Sequence, residues 1–166
     1  MKKILFITVL FTSTITQAQK ELKFDIFDAL VFKTIEVSFE NYLNEESSVG
    51  ISAFFNTEKK SADFRYNEDR MITPYFRHYF SNYNNWNVFG EAFFSLNFGE
   101  EEVQMDGSSI YNENYTDGAL GIAIGTKYVS PRGFVVDAYG GLGRNLFDDY
   151  SPSIVPRIGV NIGFRF

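Results

Sequence analysis

Ile154-Val155-Pro156-Arg157-Ile158-Gly159-Val160-Asn161-Ile162-Gly163-Phe164-Arg165-Phe166 decides how this chain is read. Every even position is apolar: Ile, Pro, Ile, Val, Ile, Phe, Phe. The odd positions are mostly small or polar: Val, Arg, Gly, Asn, Gly, Arg. Successive side chains of a β-strand point to opposite faces. The stretch is therefore a strand with one apolar face and one face of glycine, amide and guanidinium.

The same alternation recurs upstream. The clearest segments are Thr34–Tyr42, Ser48–Thr57, Met71–Phe80, Asn87–Gly99, Thr116–Val129 and Phe134–Asn145. In the first of these, Ile35, Val37 and Phe39 oppose Glu36, Ser38 and Glu40. A weaker segment runs from Leu22 to about Ala29, with Lys23 and Asp25 on its polar face. Pro74 cannot donate to a central ladder and predicts a bulge. With the closing segment, eight strands are expected.

The connections alternate in type. Those after Tyr42, Phe80 and Val129 are short, whereas those from Glu58, Glu100 and Phe147 are longer and charged; the first is also short. An even strand count puts both chain ends on the short-turn side. Tyr42, Phe80, Tyr83, Trp86, Tyr128, Phe134 and Phe166 cluster on that side too. Membrane barrels have short inner turns, longer outer loops and aromatic girdles. The expectation is an all-β, eight-stranded, antiparallel up-and-down transmembrane barrel. The alternative is a soluble or membrane-docked lipocalin-like barrel, which would turn the apolar face inward around an apolar ligand.

Composition narrows the setting. Met1-Lys2-Lys3, the apolar run Ile4–Phe11 and the small-residue exit to Ala18 read as a secretory signal peptide over residues 1–18. The apolar run is too short for a membrane-spanning helix. Residues 19–166 then form a single barrel domain. The net charge of −6 disfavours nucleic acid as a partner. Without cysteine there is no disulfide framework and no thiolate metal site. Nineteen Phe and ten Tyr suit a lipid-facing surface better than a water-facing one.

Thr34-Ile35-Glu36-Val37-Ser38-Phe39-Glu40-Asn41-Tyr42-Leu43, Thr116-Asp117-Gly118-Ala119-Leu120-Gly121 and Tyr139-Gly140-Gly141-Leu142-Gly143 resemble parts of an uncharacterised family of small exported bacterial proteins. The layout of residues 22–166 is similar to that of OmpA- and OmpX-like eight-stranded barrels. The resemblance implies the cell outer membrane as location, with outer-membrane lipids and the barrel assembly machinery as partners. It also implies that terminal Phe166 serves as an assembly signal. An extracellular partner would meet the outer loops.

An eight-stranded barrel has an interior just wide enough for side chains to fill. Alternation sends Glu36, Arg77, Glu91, Lys127, Asp137 and Arg157 inward, with Glu40 and Arg165 on the same polar face. Buried charges must be paired. The expectation is a lumenal charge network that plugs the barrel, in a protein with a structural or surface-interaction role. The single histidine, His78, lies beside a short turn without an acidic neighbour, so no catalytic triad and no enzyme are expected. Glu100-Glu101-Glu102, Asp106, Glu113, Asp148 and Asp149 lack calcium-loop spacing and read as solvated loops. No metal and no cofactor are expected.

Overall fold

The computed structural model describes residues 19–57, 68–83, 85–105, 109–147 and 153–166, with residues 81–83, 100–105 and 109–113 described through their backbone only. The expected signal peptide lies outside the described residues, as do Asp106, Asp148 and Asp149. The elements are β1 (Lys20–Asp25), α1 (Ile26–Val31), β2 (Thr34–Asn44), β3 (Ser47–Asn56), β4 (Glu68–Tyr83), β5 (Trp86–Met105), β6 (Ser109–Val129), β7 (Phe134–Asn145) and β8 (Ile154–Arg165). Each strand pairs antiparallel with its chain neighbours, and β1 pairs with β8 to close the barrel.

The alternation read from the sequence becomes the two surfaces of this cylinder. Val37, Ile51, Ile72, Leu96, Ile122, Leu142 and Ile158 are exposed on the outside, and Ser38, Ser52, Thr73, Asn97, Ala123 and Arg157 are buried inside. An exposed apolar belt that encircles a protein calls for an apolar surrounding medium. Closure pairs the backbone of every strand on both edges, so no open sheet edge meets hydrocarbon. The chain is a transmembrane barrel. The lipocalin-like alternative required the apolar face inside; that face is outside, and charged side chains line the interior.

Several boundaries differ from the sequence reading, each for a physical reason. The first segment does not continue to Ala29. Its strand stops at Asp25, whose carboxylate accepts a hydrogen bond from the Asp28 N–H at 3.0 Å and caps α1. Most of the polar stretch from Glu100 to Tyr115 is strand. β5 runs on to Met105 and β6 starts at Ser109, with Glu101 opposite Glu113 and Val103 opposite Tyr111. Strands that extend beyond a barrel rim need no apolar face, so composition alone hides them. Pro74 makes no bulge: it faces outward opposite Ile51, and the register shifts fall between Glu68 and Arg70 and between Tyr79 and Ser81. Tyr42 does not join the outer girdle. It is buried, and its hydroxyl donates to that of Tyr79 at 3.0 Å.

Among the described residues, the lumen holds two apolar clusters. Phe54, Met71, Ala119 and Val155 pack together, and Phe32, just after α1, covers them. Tyr42, Tyr79, Phe89 and Tyr139 form the other. Glycine makes room where large side chains press on the wall: a Cβ at Gly121 would overlap the Phe93 ring and the Gly143 backbone.

Candidate functional site in the charged lumen

Strand register fixes which charges can meet. Arg77 on β4 stands opposite Glu91 on β5, Lys127 on β6 opposite Asp137 on β7, and Asp137 opposite Asn161 on β8. Directly opposed residues of antiparallel strands bring their side chains into contact. Arg77 Nε donates to Glu91 Oε2 at 2.6 Å, and Asn161 Nδ2 donates to Asp137 Oδ1 at 2.7 Å. Lys127 and Asp137 behave otherwise. They stay 4.0 Å apart because Lys127 Nζ turns to Glu21 Oε2 at 2.8 Å and Glu40 Oε1 at 2.9 Å.

The cross-lumen contacts join these pairs into one network. Glu91 bridges two guanidinium groups, with Arg157 Nε donating to its Oε1 at 2.6 Å. Arg157 Nη1 also reaches Glu36 Oε1 at 3.5 Å. Asp137 Oδ2 accepts from Lys23 Nζ at 2.7 Å and from Arg77 Nη1 at 2.8 Å. Toward the chain ends, Arg165 Nη2 donates to Glu21 Oε1 at 2.6 Å. Aromatic rings sheathe the cations: the Arg77 guanidinium carbon lies 4.2 Å from the Phe89 ring centre, and that of Arg157 lies 5.0 Å from the Tyr139 ring centre. Such contacts favour a cation most where water is excluded.

Glu40 is the busiest acceptor. Its Oε2 takes Lys23 Nζ at 2.6 Å and Arg77 Nη1 at 3.2 Å. Its Oε1 takes Lys127 Nζ at 2.9 Å and the Ser48 hydroxyl at 2.6 Å. Hydrogen bonds with a charged partner are about twice as strong as neutral ones.

Glu36, Arg77, Glu91, Lys127, Asp137 and Arg157, the six singled out in the sequence, all line this one interior and are all buried. Glu40 and Arg165, expected on the same polar face, belong to it as well, and so do Glu21 and Lys23 of β1. Alternation places Glu40, Lys23 and Arg165 on the polar face; what it lacks is their depth. Phe166 stands apart at the rim, 66% exposed, exchanging backbone hydrogen bonds with Lys20 at 2.9 and 3.0 Å. His78 is also outside the network, with its Nδ1 3.3 Å from the Ser47 hydroxyl and its ring edge-on to Phe80.

The contact pattern predicts which charges are energetically coupled. In double-mutant cycles, Arg157→Met with Glu91→Gln is expected to show a coupling of about 0.5–3 kcal/mol. Arg157→Met with Asp137→Asn should couple less, because the contacts that link them pass through Glu91 and then Arg77. Urea unfolding of the refolded barrel measures both, and a larger coupling to Asp137 would contradict the register.

At the end of the lumen under α1 the charges are less balanced. Asp28, on α1, is buried beside Asp25 and Glu36. Burial first, then these two carboxylates, push the Asp28 carboxyl up to about 8, against the pull of Arg157.

No family model matches the chain, and no curated protein matches it by sequence. Among solved structures, it is similar to the N-terminal β-barrel domain of Pseudomonas aeruginosa OprF, with a TM-score of 0.59 and 12% identity over 90% of this chain and 96% of that one. It is also similar to Neisserial surface protein A (NspA), with a TM-score of 0.56 and 14% identity over 90% of this chain and 94% of that one. At such identities the likeness is one of fold, and the fold they share with this chain is the eight-stranded, up-and-down membrane β-barrel.

Proposed function

We propose that this protein is an integral outer-membrane barrel with a structural or surface-interaction role, its lumen plugged by the charged network. The observation that carries the reading is the pairing of an apolar outer belt with an interior filled by mutually bonded charges. An ion entering the lumen would have to break contacts such as Arg77–Glu91 and Lys23–Asp137. A membrane anchor with a sealed interior leaves the rim elements to meet other molecules. The β5–β6 hairpin, which runs on to Met105 and back from Ser109, is the longest of these among the described residues.

In this reading residues 1–18 direct export, Phe166 is read during assembly, and the outer connections meet an extracellular partner. No catalysis is assigned. The test is reconstitution into planar lipid bilayers. The expected result is current no greater than that of protein-free lipid, from material that needs detergent for extraction from cells. Discrete conductance steps at neutral pH would overturn the plug; release by salt or alkaline washing would overturn the membrane location.

A further inference from the structure

Asp25, Asp28 and Glu36 meet beneath α1 at one end of the lumen. Each offers a carboxylate oxygen, and these oxygens lie within 4.8 Å of one another. Calcium binds oxygen at about 2.3–2.6 Å, so two of its ligands lie up to roughly 4.6–5.2 Å apart. The cluster is thus the right size for one such ion. Size alone does not make a site, because carboxylates also gather around arginines.

The ion pairs divide the charges here unequally. Among the described residues, Glu21, Glu36, Glu40, Glu91 and Asp137 share Lys23, Arg77, Lys127, Arg157 and Arg165. Acids and bases in that set are equal in number. Asp25 and Asp28 are left over, with no base within ion-pairing distance among the described residues. Asp25 has neutral partners: its Oδ1 accepts from the N–H groups of Asp28 and Val160 at 3.0 and 3.3 Å. Asp28 has none on its side chain. It is 2% exposed, and its Oδ1 is buried without a hydrogen-bond partner. Buried polar atoms are nearly always bonded, and an unpartnered carboxylate oxygen is the costliest exception.

The surroundings repeat the signal. Thr34 Oγ1 and Ser38 Oγ, on either side of Glu36 on the same face of β2, are also buried without partners. A cavity of about 20 Å³ adjoins the cluster, lined by Asp28, Glu36, Thr73, Ser95 and Arg157 among others. That volume holds about one water-sized particle. A water would satisfy Asp28 Oδ1, whereas a cation would also let the three neighbouring carboxylates carry their charge together.

We propose that Asp25, Asp28 and Glu36 form a binding site for one hard divalent cation of calcium size, held under α1 inside the barrel. The donors are all oxygens, which selects a hard ion over zinc or copper. Asp28 supplies its open Oδ1, Glu36 the carboxylate that Arg157 holds only loosely at 3.5 Å, and Asp25 its Oδ2, which accepts only a long hydrogen bond from the Tyr139 hydroxyl at 3.5 Å. Because Asp25 ends β1, Asp28 sits on α1 and Glu36 lies on β2, the ion would tie α1 to the wall on both sides.

The test uses the whole refolded barrel with calcium chloride as the probe. Thermal unfolding is followed in EDTA and across a calcium series at constant ionic strength, and equilibrium dialysis counts bound calcium. The expected result is a saturable rise in the unfolding midpoint, half-complete on the order of 0.1–1 mM, with one ion per chain lost in Asp28→Asn. In EDTA, Asp28→Asn should unfold no earlier than wild type, because a neutral amide there does not crowd a further negative charge against Asp25 and Glu36. This distinguishes a ligand from a merely structural residue. Superimposable wild-type curves with and without calcium would overturn the proposal, leaving the acids to share a proton. It would also fall if Asp28→Asn kept the full shift, which would place the ion elsewhere, for instance on the acidic β5–β6 hairpin.

Discussion

Glu40→Gln is expected to destabilise the barrel by about 3–5 kcal/mol, the cost of removing one partner from a buried ion pair. The substitution keeps the side chain's volume and removes only its charge. Three cations surround the site: Lys23 at 2.6 Å, Lys127 at 2.9 Å and Arg77 at 3.2 Å. Lys23 and Arg77 retain Asp137, and Lys127 retains Glu21, but each then has one acid fewer to offset its neighbours. The glutamine amide would also point donors at donors, since the Ser48 and Tyr79 hydroxyls both give their protons to Glu40. Urea unfolding in lipid vesicles measures the change. Adding Lys127→Met should restore part of the loss, as one cation leaves with the acid. A cost below about 1 kcal/mol, the scale of an ordinary exposed pair, would mean that Glu40 is not the centre of the network.

Ile122→Arg is expected to cost about 2–4 kcal/mol if the site lies near the bilayer midplane. Ile122 is 73% exposed on the outer face of β6, with Leu120 and Ile124 exposed on the same face. No acidic side chain is available there to receive the guanidinium. Glu45→Arg, in the exposed turn between β2 and β3, should stay within about 0.5 kcal/mol of wild type. The pair is compared in vesicles by the same unfolding assay. Equal tolerance at both positions would put water against the belt.

The cylinder was legible in the sequence because a half-buried strand writes its two faces into alternate residues. Thr34–Tyr42 and Phe134–Asn145 show this, with Val37 and Leu142 outside and Glu36 and Asp137 inside. Where both faces share one environment, the pattern vanishes. The continuation of β5 and β6 beyond Gly99 and before Thr116 therefore passed for loop. α1 was hidden differently: six residues are too few to display a helical period, and the Asp25 cap, though local, stands inside what alternation reads as strand. For the candidate site, alternation gives the face but not the height. That Glu91 bridges two arginines, and that Glu40 takes three cations, depends on strand stagger, which residue order does not encode. The acidic cluster needed β1, α1 and β2 folded together before Asp25, Asp28 and Glu36 could be seen as neighbours.

The pairing of β1 with β8 also bears on the order of assembly. Seven ladders join strands adjacent in the chain and so pair across short sequence separations. The eighth joins Glu21–Asp25 to Asn161–Arg165 across nearly the whole chain and has no turn to nucleate it. Glu21 and Lys23 arrive only with β1. Before it docks, Lys127 lacks Glu21, and Asp137 lacks Lys23. Until β1 meets β8 the eight strands form an open sheet, which presents two raw edges and an unbalanced interior together. Sealing the cylinder and neutralising its contents therefore become a single event.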